Sequence, residues 1–120
     1  MLRHVDAGHA ICRGWKEFKL RDEYYIQLKF ADGIKPILKV EIDKKEHTVA
    51  WVYERADSKG GRSFGCVCGH FHDNFGEKSF RQAIVNGILW TAHLEVPAAG
   101  APVAITAKDM ELPADTRRKK

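Results

Sequence analysis

Residues 62–94 read RSFGCVCGHFHDNFGEKSFRQAIVNGILWTAHL, and this stretch gives the strongest indication of the fold. Apolar and polar residues alternate over 62–68, which predicts a strand with Cys66 and Cys68 on one face. A polar loop follows at 69–78, and the remainder has the spacing of a helix. A strand, a loop and a helix in this order are typical of an α/β unit.

The helix carries the clearest local signal in the chain. Ser79 and, three residues later, Gln82 fit a capping box, which predicts the N-terminus of the helix. Pro97 disfavours helical geometry in the residue before it. We therefore predict a helix over 80–94.

The two faces of this helix are predicted from the spacing of its apolar residues. Ile84 and Ile88 fall on one side, and we expect both to be buried against the sheet. Arg81, Gln82 and Asn86 fall on the other side, and we expect them to face solvent.

Three segments upstream alternate apolar and polar residues with the period of a half-buried strand. They span residues 24–30, 37–42 and 48–54, and polar turns separate them. The sequence therefore predicts an α/β fold with a short mixed sheet of about four strands and one main C-terminal helix.

One helix is too narrow to cover such a sheet. A helix is about 10 Å across, whereas four strands span roughly 15–20 Å. We expect an exposed apolar strip at Ala50, Val52 and Val67, and therefore a homo-oligomer or a partner chain.

The composition suits one small globular domain, with 120 residues that are 44% hydrophobic and 30% charged. No apolar run reaches the roughly 20 residues of a transmembrane helix. The N-terminus also lacks the apolar stretch of a signal peptide. Three cysteines are an odd number and do not suggest a disulfide scaffold. These features predict a cytoplasmic protein with reduced thiols and no membrane partner.

The net charge of +4 comes from the C-terminal end of the chain. Four of the 20 Lys and Arg residues lie at 117–120, which leaves 16 basic and 16 acidic side chains elsewhere. Phosphate binding requires positive charge clustered on a folded surface. We therefore expect no nucleic-acid partner.

The densest group of polar residues follows the strand predicted at 62–68. Ligands bind outside the carboxyl ends of strands in open α/β sheets, so this loop is the predicted site. Gly69 permits a sharp turn. His70 and His72 are candidate acid–base groups, because imidazole titrates near neutral pH. A metal site formed by both histidines and a carboxylate is an alternative, but the pattern requires no metal or other cofactor.

Two further groups carry reactive side chains. Asp22 and Glu23 are adjacent carboxylates that can accept hydrogen bonds from loop amides or meet a cation, although a solvated turn is an alternative. Cys12 lies beside Arg13, which lowers a thiol pKa and would favour a reactive thiolate. A buried, unreactive thiol is the alternative for Cys12.

Six motifs occur in a recognisable order. They are HAICRG at 9–14, DEYY at 22–25, HTVAWVYER at 47–55, GGRSFG at 60–65, GHFHDNF at 69–75 and FRQAIVNGILWTA at 80–92. Together they resemble the C-terminal half of ThuA-like domains, which are named for trehalose utilisation, over roughly residues 8–96.

This resemblance implies a fold and a set of site residues. ThuA-like domains belong to the class I glutamine amidotransferase-like superfamily and have a flavodoxin-like sheet between helices. His9 would match a family histidine, with Ala10 and Cys12 in place of the usual Pro and Thr. We expect His70 to be catalytic. The expected substrate-binding residues are Asp22, Glu23, Tyr25, Gly69 and His72.

A typical ThuA-like domain is about twice as long as this chain. The resemblance therefore implies that residues 1–96 are the C-terminal portion of a domain whose N-terminal half is missing, followed by a linker and a mobile basic tail at 97–120. The implied function is a link to carbohydrate metabolism, on trehalose or a keto-glycoside. A non-enzymatic sugar-binding or interaction module, or a split-domain subunit that needs a partner, remains an alternative.

Overall fold

The computed structural model describes residues 1–57 and 59–114. Four strands form one sheet in the order β1–β2–β3–β4. Their bounds are Leu2–His4 for β1, Lys35–Ile42 for β2, Lys45–Glu54 for β3 and Arg62–Cys66 for β4. The main helix, α1, spans Lys78–Thr91. The predicted α/β arrangement of about four strands and one helix is confirmed, but the three strand pairs are all antiparallel, so the sheet is not mixed.

The hairpin of β2 and β3 forms where the sequence predicts strands at 37–42 and 48–54. Asp43 and Lys44 at its turn both have positive φ, 50° and 61°, as in the tight turns that suit the twist of paired strands. Leu38 and Val52 are each 1% exposed. The alternation of apolar and polar residues in these two strands therefore places their apolar side chains in the central part of the core.

The strand predicted at 24–30 is wrong, because these residues are irregular. Gln27 has a φ of 61°, which interrupts extended backbone. The Phe30 ring packs edge-on against Trp51 of β3, with 5.0 Å between ring centroids. The short strand β1, which the sequence analysis missed, is the fourth strand of the sheet and pairs with β2.

The apolar strip predicted to remain exposed is also wrong in its main members. Ala50 is fully buried and Val52 is 1% exposed. The sheet packs closely on α1 beside these residues. A Cβ atom on Gly87 would lie only 2.5 Å from the Phe64 ring, which is too close for a side chain. Glycine at that position therefore lets the helix approach the sheet.

The helix begins one residue before the predicted capping serine. Glu77 is the N-cap, and its carboxylate accepts a hydrogen bond from the backbone N–H of Ser79 at 2.9 Å. Gln82 does not form a capping box. It is buried, with only 5% of its surface exposed. Its Nε2 donates to the carbonyls of Ala99 and Ala101.

The predicted faces of α1 are reversed at three positions, Gln82, Asn86 and Ile88. Asn86 is fully buried, whereas Ile88 is 60% exposed. The Asn86 side chain donates to the carbonyls of Ile11 and Arg13, both at 2.9 Å, and accepts from the backbone N–H of Ala101 at 2.8 Å. These three hydrogen bonds turn the amide inward and determine which side of the helix faces the core.

The segment after α1, which has a linker-like composition, lies against the helix. Ala101 is 1% exposed. Arg81, expected to be a simple surface residue, donates to the carbonyls of Val103, Phe75 and Gly76. The basic run at 117–120 lies outside the described residues, so a mobile tail remains a prediction. None of the described helices combines the length and the hydrophobicity needed to span a membrane.

Candidate functional site

Asp22 joins two parts of the chain that the sequence singled out separately. Its carboxylate accepts hydrogen bonds from the backbone N–H groups of Gly69, at 2.5 Å, and His70, at 3.0 Å. Gly69 has a φ of +107°, a conformation that favours glycine. The expected hydrogen bonding of an acidic residue to loop amides is therefore what the structure shows. The contact holds the loop after β4 in one backbone conformation.

Glu23 contacts the imidazole of His70. Its Oε2 lies 3.0 Å from Nδ1 of His70, and the two side chains are 53% and 49% exposed. A carboxylate on Nδ1 favours the tautomer with a proton on that nitrogen. Nε2 is then the nitrogen available to accept a proton, as in catalytic carboxylate–histidine pairs.

A second contact fixes the same two segments from the other side. Nδ2 of Asn74 donates to the carbonyl of Arg21 at 3.0 Å, and Asn74 is 9% exposed. The guanidinium of Arg21 lies 5.8 Å from the centroid of the Phe71 ring. The sequence analysis did not select Arg21, Phe71 or Asn74, although the last two lie inside its GHFHDNF motif.

Two of the expected substrate-binding residues lie apart from this pair. Nε2 of His72 is 2.9 Å from the carbonyl oxygen of Met110. Tyr25 is 57% exposed, and no side-chain contact within the described residues links it to His70. Their roles therefore stay predictions. Within the described residues, no group of three or more His, Cys, Asp or Glu side chains is placed to hold a metal ion, so the alternative metal site gains no support.

Three titratable groups, Tyr24, Cys68 and Cys12, are held in their neutral forms. Burial raises the pKa of the Tyr24 hydroxyl, with smaller contributions from nearby Cys68 and Asp22. A hydrogen bond to Cys66 and burial raise the pKa of the Cys68 thiol. Burial also raises the pKa of Cys12 to about 12. The proposed reactive thiolate at Cys12 is therefore not favoured, because a thiol is a poor nucleophile while protonated.

His9 lies at the opposite end of α1 from His70. Its ring is 5.1 Å from the Trp90 ring, and its Nδ1 accepts a hydrogen bond from the backbone N–H of Ile11 at 3.2 Å. Burial lowers the pKa of His9. His9 therefore caps the short 3-10 helix at Ala10–Cys12 and does not join the Glu23–His70 pair.

Fold and site together define an α/β domain with a carboxylate–histidine pair at the end of an edge strand. The family model for ThuA, described as trehalose utilisation, matches residues 1–91, and the chain belongs to this family. No curated protein and no solved structure matches the chain.

Proposed function

We propose that this chain is the C-terminal part of a ThuA-like domain that acts on a carbohydrate, with His70 as its acid–base residue. The contact between Glu23 and His70 carries the proposal, because it pairs an orienting carboxylate with an imidazole. The family description, trehalose utilisation, supports a sugar such as trehalose or a keto-glycoside as the substrate.

Asp22, Glu23 and His70 have separate roles in this proposal. Asp22 positions the loop through the N–H groups of Gly69 and His70. Glu23 holds the tautomer in which Nε2 of His70 accepts a proton from a sugar hydroxyl and later returns it. Gly69, Tyr25 and His72 would contact the substrate.

The proposal includes a partner that completes the domain. A class I glutamine amidotransferase-like domain with a flavodoxin-like sheet needs more elements than this chain contributes. Ile88 and Leu94 are 60% and 58% exposed. In the part of the chain that the structure describes, β4 has a neighbouring strand on one side alone. Exposed apolar side chains and an edge strand are typical of an interface, either with a chain that supplies the N-terminal half or with a second copy.

A non-enzymatic sugar-binding or interaction module is the second candidate. About half of the surface of both Glu23 and His70 is exposed to solvent, whereas catalytic sites usually exclude water when they close. The three cysteines are free, which supports a cytoplasmic location for either candidate.

A turnover assay tests the proposal. The purified chain, alone and mixed with a ThuA-like N-terminal half, is incubated with trehalose and with keto-trehalose. We expect turnover only when both halves are mixed. In that mixture, His70→Gln should lower the turnover rate by about 10²–10⁴-fold, as for other general acid–base residues. His93→Gln is the matched control and should retain activity within about twofold, because His93 is exposed just beyond the C-terminal end of α1 and lies outside the site.

Other outcomes separate the candidates. Binding of sugar without turnover in the mixture would favour the binding module. Equal losses in His70→Gln and His93→Gln would contradict the acid–base role of His70. Turnover by the isolated chain would contradict the need for a partner.

A further inference from the structure

Two cysteines lie on one face of the sheet, next to the candidate site. Cys66 is the last residue of β4, and the backbone N–H of Val67 still donates to the carbonyl of Val49 in β3 at 2.9 Å. Extended backbone therefore continues past Cys66, which places Cys66 and Cys68 on the same face. Both side chains are partly buried, whereas Cys12 is buried.

The two thiols are in contact, and the contact makes them unequal. A hydrogen bond from Cys68 lowers the pKa of the Cys66 thiol, against the opposing effects of burial and of the nearby Asp22 carboxylate. The same hydrogen bond, together with burial, raises the pKa of Cys68. Cys66 therefore loses its proton more readily than Cys68 does. A thiolate beside a second thiol is the arrangement of a nucleophilic and a resolving cysteine.

A bond between these sulfurs would move the loop that carries His70. Successive residues rise about 3.4 Å along a strand, so Cα atoms two residues apart are separated by about 6.8 Å, the usual upper limit for a disulfide. The bond must shorten this separation. Cys66 is held by its pairing with Ala50, so the movement falls on Cys68. The next residue is Gly69, whose N–H donates to Asp22.

We propose that Cys66 and Cys68 form a reversible disulfide when the chain meets a hydroperoxide, and that this bond loosens the loop of His70. The inference rests on the proposed function, because it assigns a regulation to the same site. Cys66 is partly exposed on an edge strand, which gives a molecule as small as hydrogen peroxide access to its sulfur. Strained disulfides are typical of labile and regulatory bonds.

The oxidation takes place in two steps. The Cys66 thiolate attacks one oxygen of the peroxide, so that an S–O bond forms, the O–O bond breaks and the released hydroxide takes up a proton to become water. Cys66 is then a sulfenic acid. Its oxidation removes the thiolate that held the proton on Cys68. Cys68 loses that proton and attacks the Cys66 sulfur, so that the S–S bond forms, the S–O bond breaks and a second water leaves.

Peptide mapping of the whole chain tests the disulfide. The protein is treated with hydrogen peroxide, its remaining thiols are blocked, and it is cut with trypsin, which cleaves after Lys and Arg. The resulting peptide at 63–78 contains Cys66 and Cys68 but not Cys12. We expect this peptide to be about 2 Da lighter than its reduced form, through loss of two hydrogen atoms, and dithiothreitol to restore the mass by thiol–disulfide exchange.

Hydrogen exchange tests the effect on the loop. We expect the amides of Gly69 and His70 to exchange about 10-fold faster in the oxidised chain, because their charge-assisted hydrogen bonds to Asp22 weaken. In Asp22→Asn these bonds are already weakened, so oxidation should accelerate the exchange less than in the wild type.

Three variants serve as controls. Cys12→Ala removes the thiol that lies away from the pair, and it should leave both the disulfide and the change in exchange as in the wild type. Cys66→Ala and Cys68→Ala should each abolish both. The wild-type peptide locates the bond by itself, so the result does not depend on the folding of these variants.

Three outcomes would overturn the inference. An unchanged mass of the peptide at 63–78 would show that the thiols do not react. A gain of oxygen without an S–S bond, or a disulfide between two copies of the chain, would show that Cys68 does not resolve the oxidised Cys66. A disulfide with unchanged exchange at Gly69 and His70 would remove the regulation. None of these measurements involves turnover, so the proposed function stands or falls separately in the turnover assay.

Discussion

The β2–β3 hairpin and the helix α1 are both amphipathic, but different interactions hold them in place. The hairpin is held by apolar burial, with Leu38, Val49 and Val52 at most 1% exposed. The helix buries two amides, Asn86 and Gln82, which hydrogen-bond to backbone groups of other segments.

This difference explains why the sequence predicted one element better than the other. Apolar burial is non-directional and follows the pattern of hydrophobic residues. A buried amide is stable only where specific donors and acceptors meet it. Hydrophobic spacing therefore predicts the hairpin, whereas it assigns the wrong side of α1 to Asn86 and Ile88.

The largest effect is expected in the hairpin, for Leu38→Ala. Removing a fully buried leucine leaves a cavity and should lower the free energy of unfolding by about 2–5 kcal/mol, measured by urea denaturation. Lys39→Ala, at the next and partly exposed position of β2, is the control and should change it by less than about 0.5 kcal/mol. Similar values for the two variants would mean that β2 is not packed as described.

Asn86→Ala should have the next largest effect. It removes the hydrogen bonds of Asn86 to the carbonyl of Arg13 and the N–H of Ala101, whereas the carbonyl of Ile11 keeps its bond from Trp15. We therefore expect a loss of about 2–4 kcal/mol in the free energy of unfolding. Ile88→Ala is the matched change on the exposed side of the helix and should lower it by less than about 0.5 kcal/mol. A larger loss in Ile88→Ala than in Asn86→Ala would reverse the orientation of α1.

Asp22→Asn extends the comparison to the candidate site, where a charged group holds a loop. The variant weakens the bonds to Gly69 and His70, at an expected loss of about 1–2 kcal/mol for charge-assisted hydrogen bonds that are partly exposed. Hydrogen exchange of these two amides should accelerate. Glu23→Gln should leave their exchange unchanged, because Glu23 contacts the ring of His70 and not these amides. Unchanged exchange in Asp22→Asn would show that the loop keeps its conformation without the carboxylate.

The smallest effect concerns acid pH. Burial lowers the pKa of both His4 and His9 below 6.5 in the folded chain. The unfolded state therefore binds protons more readily, so these residues reduce stability as the pH falls below about 6.5 and leave it unaffected above that value. We expect the melting temperature to fall by a few degrees between about pH 7 and pH 5. His4→Phe, which keeps a ring against Trp15, should reduce this fall, and His72→Gln should not. An equal fall in His4→Phe would assign the acid sensitivity to other groups.

The residues of the site were predictable one by one, but their assembly was not. The DEYY and GHFHDNF motifs are enough to single out Asp22, Glu23 and His70. Nothing in the spacing of these motifs shows that a carboxylate at 22 meets amides 47 and 48 residues later along the chain. Arg21 and Asn74 were missed because their contact runs through a backbone carbonyl, which every residue has.

Local sequence patterns were sufficient for the hairpin, the presence of α1 and the loop that carries His70, because alternation, helical spacing and turn residues act over a few neighbouring positions. Which side of α1 is buried, and how residues 24–30 lie on the sheet, depended on tertiary contacts. The partners of Asn86 include the carbonyl of Ile11, 75 residues away. A local pattern records which side chains are apolar, but it does not record which distant backbone groups will need a hydrogen-bond partner in the core.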